Sequence, residues 1–463
     1  MIRWLGFSTT ASRLWTLGEF MHIESLETRT LLSGSTPTNN EQYLLELINR
    51  ARANPASEAS RDHINLNEGL PTGTITTAPK QPLAFNPFLI NSARGHSQDM
   101  IDHDFFAHEG SDGSVPEQRM AASGYSFETT NSRGSGENIA WSGSTSAQSA
   151  AQITATTAQL HNNLFIDTNT PGRGHRTNIL NASFKELGTG VISGGFTYQG
   201  TTYNAVMATE DFAFVLPSAF LTGVVYSDSV QDDDFYEPGE GLKGITIKAK
   251  RLSDNAIFST KDFSTGGYTL SLAPGAYSVT VSGKALGAAQ TYNIVIADQN
   301  LKLDIAKPGT NDSTLPVAFL NASTFTGGPS LTFQVFYNDT GGVKASTIGD
   351  GDLQVTGPNG FKKTATLVSA VPAGNSTSLV ATYSISSPGD AWTSSDNGAY
   401  TVKLVKKQVT DTGGRAAAAA TIGTFAINIS PSGAAAVVSS QGFSRTRIRP
   451  TESVWDYDPS VLS

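Results

Sequence analysis

The sequence predicts a multidomain protein, with an α+β domain at its N-terminal end and two all-β sandwiches after it. Three observations lead there. The chain has 463 residues, too many for one ordinary domain and suited to three of modest size. Helix-period apolar patterns are confined to its first part, and short alternating strands take over from Phe220. Only 15 % of the residues are charged, and Gly, Ser, Thr and Asn fill the gaps between short apolar runs. That texture belongs to extracellular β-rich modules rather than to a cytosolic enzyme.

Taken in order, the segment Glu41 to Arg52 reads as a helix, because Leu44, Leu45, Leu47, Ile48 and Ala51 recur at helical spacing and Asn54-Pro55 stops it. A Gly/Thr/Pro-rich loop follows. A second helix begins at Asn86-Pro87, with proline in the first turn, where its missing N–H costs nothing. Leu89, Ala93, His96 and Met100 share one face of it. An Ala/Gln-rich stretch from about 146 to 164 predicts a third helix. Residues 188–192 and 202–214 predict strands, and the domain ends near Pro217. Beyond it, strands are expected at 221–226, 245–249 and 276–281, then at 331–337, 379–385 and 399–404, with a hairpin turn at 355–360. The domains are accordingly 1–37 (leader), 38–217 (α+β), 218–308 and 309–430 (sandwiches) and 431–463 (an Ala/Ser/Arg tail read as disordered).

Composition excludes several chemistries. The net charge of −9 argues against nucleic acid, which usually requires a basic face, and gives no attraction to anionic membranes. With no cysteine there are no disulfides, thiolate nucleophiles or thiolate zinc sites. No apolar run reaches the roughly 18 residues that span a bilayer. No G-x-S-x-G, H-E-x-x-H or P-loop pattern occurs. All seven histidines lie at or before His175, so imidazole chemistry belongs to the first domain.

Two segments carry a family resemblance. One is His96-Ser97-Gln98-Asp99-Met100, then Phe105-Phe106-Ala107-His108, Asp112-Gly113-Ser114 and Gly136-Glu137-Asn138-Ile139-Ala140. The other is Gly174-His175-Arg176-Thr177-Asn178-Ile179-Leu180, then Gly188-Thr189-Gly190 and Asp211-Phe212. In this order they resemble the CAP superfamily of cysteine-rich secretory, antigen-five and pathogenesis-related proteins. The resemblance covers about 38–217 and implies a three-layer α-β-α sandwich. Its cleft would hold His108, Glu137 and His175. Asp167 is the fourth candidate, in a loop before His175 that is longer than the family's usual turn. Such a set can bind Zn²⁺ or another divalent metal and leave a position for water. It can equally act as an acid–base pair or as a hydrogen-bonded network that only ties segments together. His96 is expected as a packed core histidine and Arg119 as an ion-pair residue.

The second module opens on Asp228, Asp232, Asp233, Asp234, Glu237 and Glu240, similar to the acidic loop of bacterial B-type and prealbumin-like surface repeats, where Ca²⁺ binds. Asp228, Asp232, Asp234 and Glu240 are the candidate ligands, and a solvated acidic turn is the alternative. The third module resembles an immunoglobulin-like domain. Residues 26–35, Leu-Glu-Thr-Arg-Thr-Leu-Leu-Ser-Gly-Ser, resemble an address element of large bacterial surface proteins. Together these imply a secreted or cell-surface protein that meets an extracellular ligand or envelope component. A metal-dependent hydrolase of peptide or wall polymer, and a non-catalytic structural or adhesive protein, are the other readings.

Overall fold

The computed structural model describes residues 35–127, 133–168, 170–215, 219–231, 233–307, 315–321 and 328–429. The address element up to Gly34, the boundary at Pro217, the boundary near 308, Asp232 and the 431–463 tail lie outside these residues.

The first domain runs α1 (Asn39–Ala53), α2 (Pro55–Arg61), β1 (Ala84–Phe85), α3 (Pro87–Asp102), α4 (Pro116–Ala122), β2 (Arg133–Ser144), α5 (Ala150–Ile166), α6 (Gly174–Ile179), β3 (Glu186–Tyr198) and β4 (Thr201–Val215). The sheet order is β1-β3-β4-β2. Alternation along β4 makes it three-layered. Val206, Ala208 and Phe212 face α1 and α5, whereas Ala205, Met207 and Ala213 face α3 and α4. This is the α-β-α sandwich expected from the resemblance.

Side-chain caps start α1, α2, α3 and α5. Thr38 and Glu41 form a capping box on α1, and Asn86 caps α3 with Pro87 in its first turn. Asn54 both ends α1 and caps α2, so the predicted stop at Asn54-Pro55 is also a start. Strand β2 and helices α2, α4 and α6 were not legible as elements. The helices are short, and β2 is rich in Gly and Ser.

The second module is a sandwich of β5 (Phe220–Tyr226), β6 (Thr246–Arg251), β7 (Ile257–Lys261), β8 (Gly267–Ser271), β9 (Gly275–Ser282), β10 (Gln290–Ile296), β11 (Leu301–Lys302) and β12 (Ile305–Ala306). One sheet has the order β10-β9-β6-β7, and the other joins β11, β5, β12 and β8. The third contains β13 (Val317–Asn321), β14 (Ser330–Val343), β15 (Leu353–Thr356), β16 (Lys362–Thr364), β17 (Thr366–Val371), β18 (Ser376–Ser386), β19 (Gly398–Leu404) and β20 (Ala420–Ile427). Its sheets are β13-β14-β18-β17 and β16-β15-β19-β20, closed over an aromatic core that includes Phe333, Tyr400 and Phe425.

The first two modules are joined by buried contacts. Asn300 donates from its backbone to Gln81 Oε1 at 3.0 Å and from Nδ2 to Pro82 O at 2.9 Å and Lys185 O at 2.6 Å. Lys302 lies 2.8 Å from Glu46 of α1 and also pairs with Asp304. Phe85 meets Phe263, and Tyr43 meets Phe235.

Candidate functional site

The loop after α3 is positioned by the residues of the His-Ser-x-Asp motif. Ser97 Oγ donates to Gly190 O at 3.0 Å and lies 2.8 Å from Thr209 Oγ1, fixing α3 on the sheet. Asp99 accepts from Ser111 N at 2.9 Å and from Ser111 Oγ at 2.5 Å, folding the loop back so that His108 returns to the sheet. There His108 Nδ1 lies 2.8 Å from Glu137 Oε1 on β2.

Glu137 is buried and has three basic neighbours. Arg119 Nη2 donates to its Oε2 at 2.6 Å, and His96 Nε2 stands 3.9 Å from Oε1. Burial alone would push its carboxyl up. The His108 hydrogen bond and the charges of His96 and Arg119 outweigh that and hold it below the usual value. His96 is fully buried with Nε2 on Ala107 O at 3.0 Å, and burial lowers its pKa first. It is the packed, singly hydrogen-bonded histidine expected, and Arg119 is the expected ion-pair residue.

The second pair is built at the junction of α5 and α6. Asp167 ends α5 in the left-handed region with φ 52°, a conformation aspartate tolerates. Its Oδ1 lies 2.8 Å from His175 Nδ1, and its Oδ2 accepts from His175 N at 3.0 Å. The sheet edge links the two pairs. Asn178 Nδ2 donates to Glu137 O at 3.3 Å and to Asn138 Oδ1 at 2.9 Å, and Asn138 Nδ2 donates to His175 O at 3.3 Å.

His108, Glu137, Asp167 and His175 therefore stand as two carboxylate–imidazole pairs flanking β2. Among the described residues no three or more His, Asp or Glu side chains are grouped to hold a metal ion. The four do not fit as one coordination sphere, because each acid is engaged by its own histidine and Glu137 by Arg119 as well. What they do is orient the rings. A carboxylate on Nδ1–H leaves the Nε2 lone pair of a neutral imidazole for a ligand.

The acidic loop of the second module is held by its own amides. Asp228 accepts from Asp233 N and Asp234 N, each at 3.3 Å. Glu240 accepts from Val230 N and Glu237 N, each at 2.8 Å. Two of the candidate calcium ligands thus cap backbone N–H groups, Asp234 sits beside them, and Asp232 lies outside the described residues. Burial, with Asp233 and Glu240 nearby, raises the Glu237 carboxyl to about 8.

Sequence reasoning assigned no role to Glu210 and Asp211, both fully buried on β4. Asn138 Nδ2 donates to Glu210 Oε2 at 2.9 Å, and burial lifts this carboxyl to about 8. Asp211 pairs in register with Glu137, and burial together with that neighbour raises it well above its ordinary value. Two adjacent acids inside an otherwise uncharged strand were the available signal.

Residues 45–209 match the family model described as CAP, the cysteine-rich secretory protein family. No curated protein matches the chain. Similar solved structures include an extracellular protein containing a SCP domain from Bacillus anthracis, at 24 % identity and TM-score 0.21, covering 37 % of this chain and 39 % of that one. BmVAL-1 matches at 15 % identity and TM-score 0.25, covering 39 % of this chain and 79 % of its own. A DUF3823 family protein from Bacteroides ovatus matches at 16 % identity and TM-score 0.15, covering 48 % of this chain and 96 % of its own. The chain thus spans under half of the Bacillus protein.

Proposed function

We propose, from the premise that residues 45–209 are a CAP-family domain, that this is a secreted or cell-surface protein binding an extracellular ligand through His108 and His175. The observation that supports the reading is the paired orientation of the two rings, each with Nδ1 at 2.8 Å from a buried carboxylate. With Nδ1–H given to a carboxylate, Nε2 is the atom of a neutral imidazole that can meet a divalent ion or a donor group of a small ligand. The extracellular setting rests on composition and on the 26–35 element.

A hydrolytic reading has one observation in its favour. Asp167 receives both the ring and the backbone N–H of His175, which is how an orienting acid fixes a general base. In that reading His175 takes a proton at Nε2 from an attacking water, and Asp167 stabilises the imidazolium.

Calorimetric titration of the full chain with Zn²⁺, alongside His108→Ala/His175→Ala, tests the site. Binding on the order of micromolar that disappears in the double variant is expected. Equal, negligible heats in both proteins would remove the metal from the proposal and leave only the donor ligand. Hydrolysis of a peptide or wall-polymer substrate that survives His175→Ala would remove the catalytic reading.

A further inference from the structure

Beyond Glu137, the same face of β2 carries Ile139 and then Trp141, because alternate strand residues share a face. Trp141 stands four residues from Glu137, about 13 Å along the strand. Its indole is the hub of an aromatic group. The ring centroids of Phe196, Tyr198 and Tyr203 lie 4.7, 5.5 and 5.6 Å from it, in edge-on or tilted arrangements. Phe196 is fully buried and anchors the group in the small core with Met100 and Met207. Trp141, Tyr198 and Tyr203 are only half-buried. Among the described residues no group accepts from the Trp141 indole N–H, and none bonds the Tyr203 hydroxyl.

The strands around the platform carry no charged side chain of their own, and the carboxylate held against them is Asp104, which accepts from Thr197 N at 2.5 Å. Residues 138–144, 192–198 and 201–207, the far halves of β2, β3 and β4, contain no Asp, Glu, Lys, Arg or His. Ser144, Ser193, Gln199, Thr201 and Asn204 are exposed there. Half-open rings with polar tips, set among hydroxyls and amides, suit a ligand with apolar C–H faces and many neutral hydroxyls. An anionic polymer would find no cation on these strands, and a purely apolar ligand would leave the polar fringe unpaired.

We propose that the Trp141–Tyr198–Tyr203 platform binds a neutral glycan chain, laid along the sheet face that leads to Glu137 and His108. The rings stack on sugar faces while the indole N–H and the tyrosine hydroxyls bond ring hydroxyls. The platform stands independently of the ligand reading of His108 and His175.

The test is calorimetric titration of the full chain with cellohexaose and with N-acetylchitohexaose, using polygalacturonate as the anionic control. Binding of at least one neutral oligosaccharide is expected, with no binding of polygalacturonate. Affinity should fall about tenfold in Trp141→Ala and in Tyr203→Ala and stay unchanged in Lys250→Ala, exposed on the second module. Thermal melts accompany each variant. Should Trp141→Ala fail to fold, the half-exposed Tyr203→Ala decides. No heat with either neutral probe overturns the proposal, as does parent-like binding by a folded Tyr203→Ala or Trp141→Ala.

Discussion

Buried charge at single residues shows how the tertiary environment sets chemistry that residue type leaves open. Arg52 is fully buried, yet its guanidinium donates to the carbonyls of Gln81, Ile179, Asn181 and Phe184. It staples α1 to the β1 approach and to the segment before β3, although burial lowers its pKa to about 9. Glu210 is the opposite case, a buried acid raised to about 8 with one amide partner. The consequence for stability has a definite sign. Below an ordinary carboxyl value both folded and unfolded chains hold the proton. As pH rises toward 8 the unfolded chain loses it first, so folding stability falls over that window and levels above it. Glu210→Gln removes this dependence. Melting curves at roughly pH 5 and pH 8 should show the parent losing a few degrees more than the variant, and parallel losses would show that Glu210 does not titrate as its burial implies.

At the scale of elements, α3 lies unusually close to β3. A Cβ on Gly188 would fall 2.0 Å from the Leu89 carbonyl carbon, and one on Gly190 would fall 2.4 Å from the Ala93 carbonyl. Both neighbours are backbone and cannot yield, so Gly190→Ala must push the helix off the sheet. A loss of about 3 kcal/mol or more is expected in urea denaturation. Gly195→Ala, whose Cβ would meet only the Thr202 methyl at 4.0 Å, should cost under about 1 kcal/mol. Equal costs would refute the close-approach account. The Gly-Thr-Gly block was visible in the sequence, but its reason was not, since the clash exists only once α3 is docked. Helices α1, α3 and α5 and strands β3 and β4 were legible because they run 13 to 17 residues, long enough for a periodic apolar pattern to show. Strand β2 was not legible, and Glu137 was marked only by its Gly-Glu-Asn motif.

At the scale of the molecule, the first two modules behave as one body by their contacts. Asn300 places three hydrogen bonds across the junction and accepts a fourth from Phe220 N at 3.0 Å. Lys302 and Glu46 add an ion pair in which both side chains are largely shielded. Breaking one partner of such a pair costs more than the pair contributes. Calorimetry should show the CAP domain and second module melting in a single transition, split into two by Asn300→Ala/Lys302→Ala. A parent that already melts in two transitions would show that the junction does not couple them. The third module caps the edge of β10, where Asn293 N meets Ser378 Oγ at 3.1 Å and Asn338 Oδ1 at 3.3 Å, covering a strand that would otherwise be open to pairing.

The sequence by itself determined the order of architectures, the confinement of imidazole chemistry to the first domain, and the family of that domain, because periodicity and short motifs are local properties. It also singled out His108, Glu137, Asp167 and His175. Only the tertiary structure decided how they are paired. Each carboxylate lies 2.8 Å from Nδ1 of its own histidine, and Arg119 donates to the other oxygen of Glu137. Pairing of this kind depends on distances across the fold, as does the junction of the modules, and neither is written in the spacing of residues along the chain.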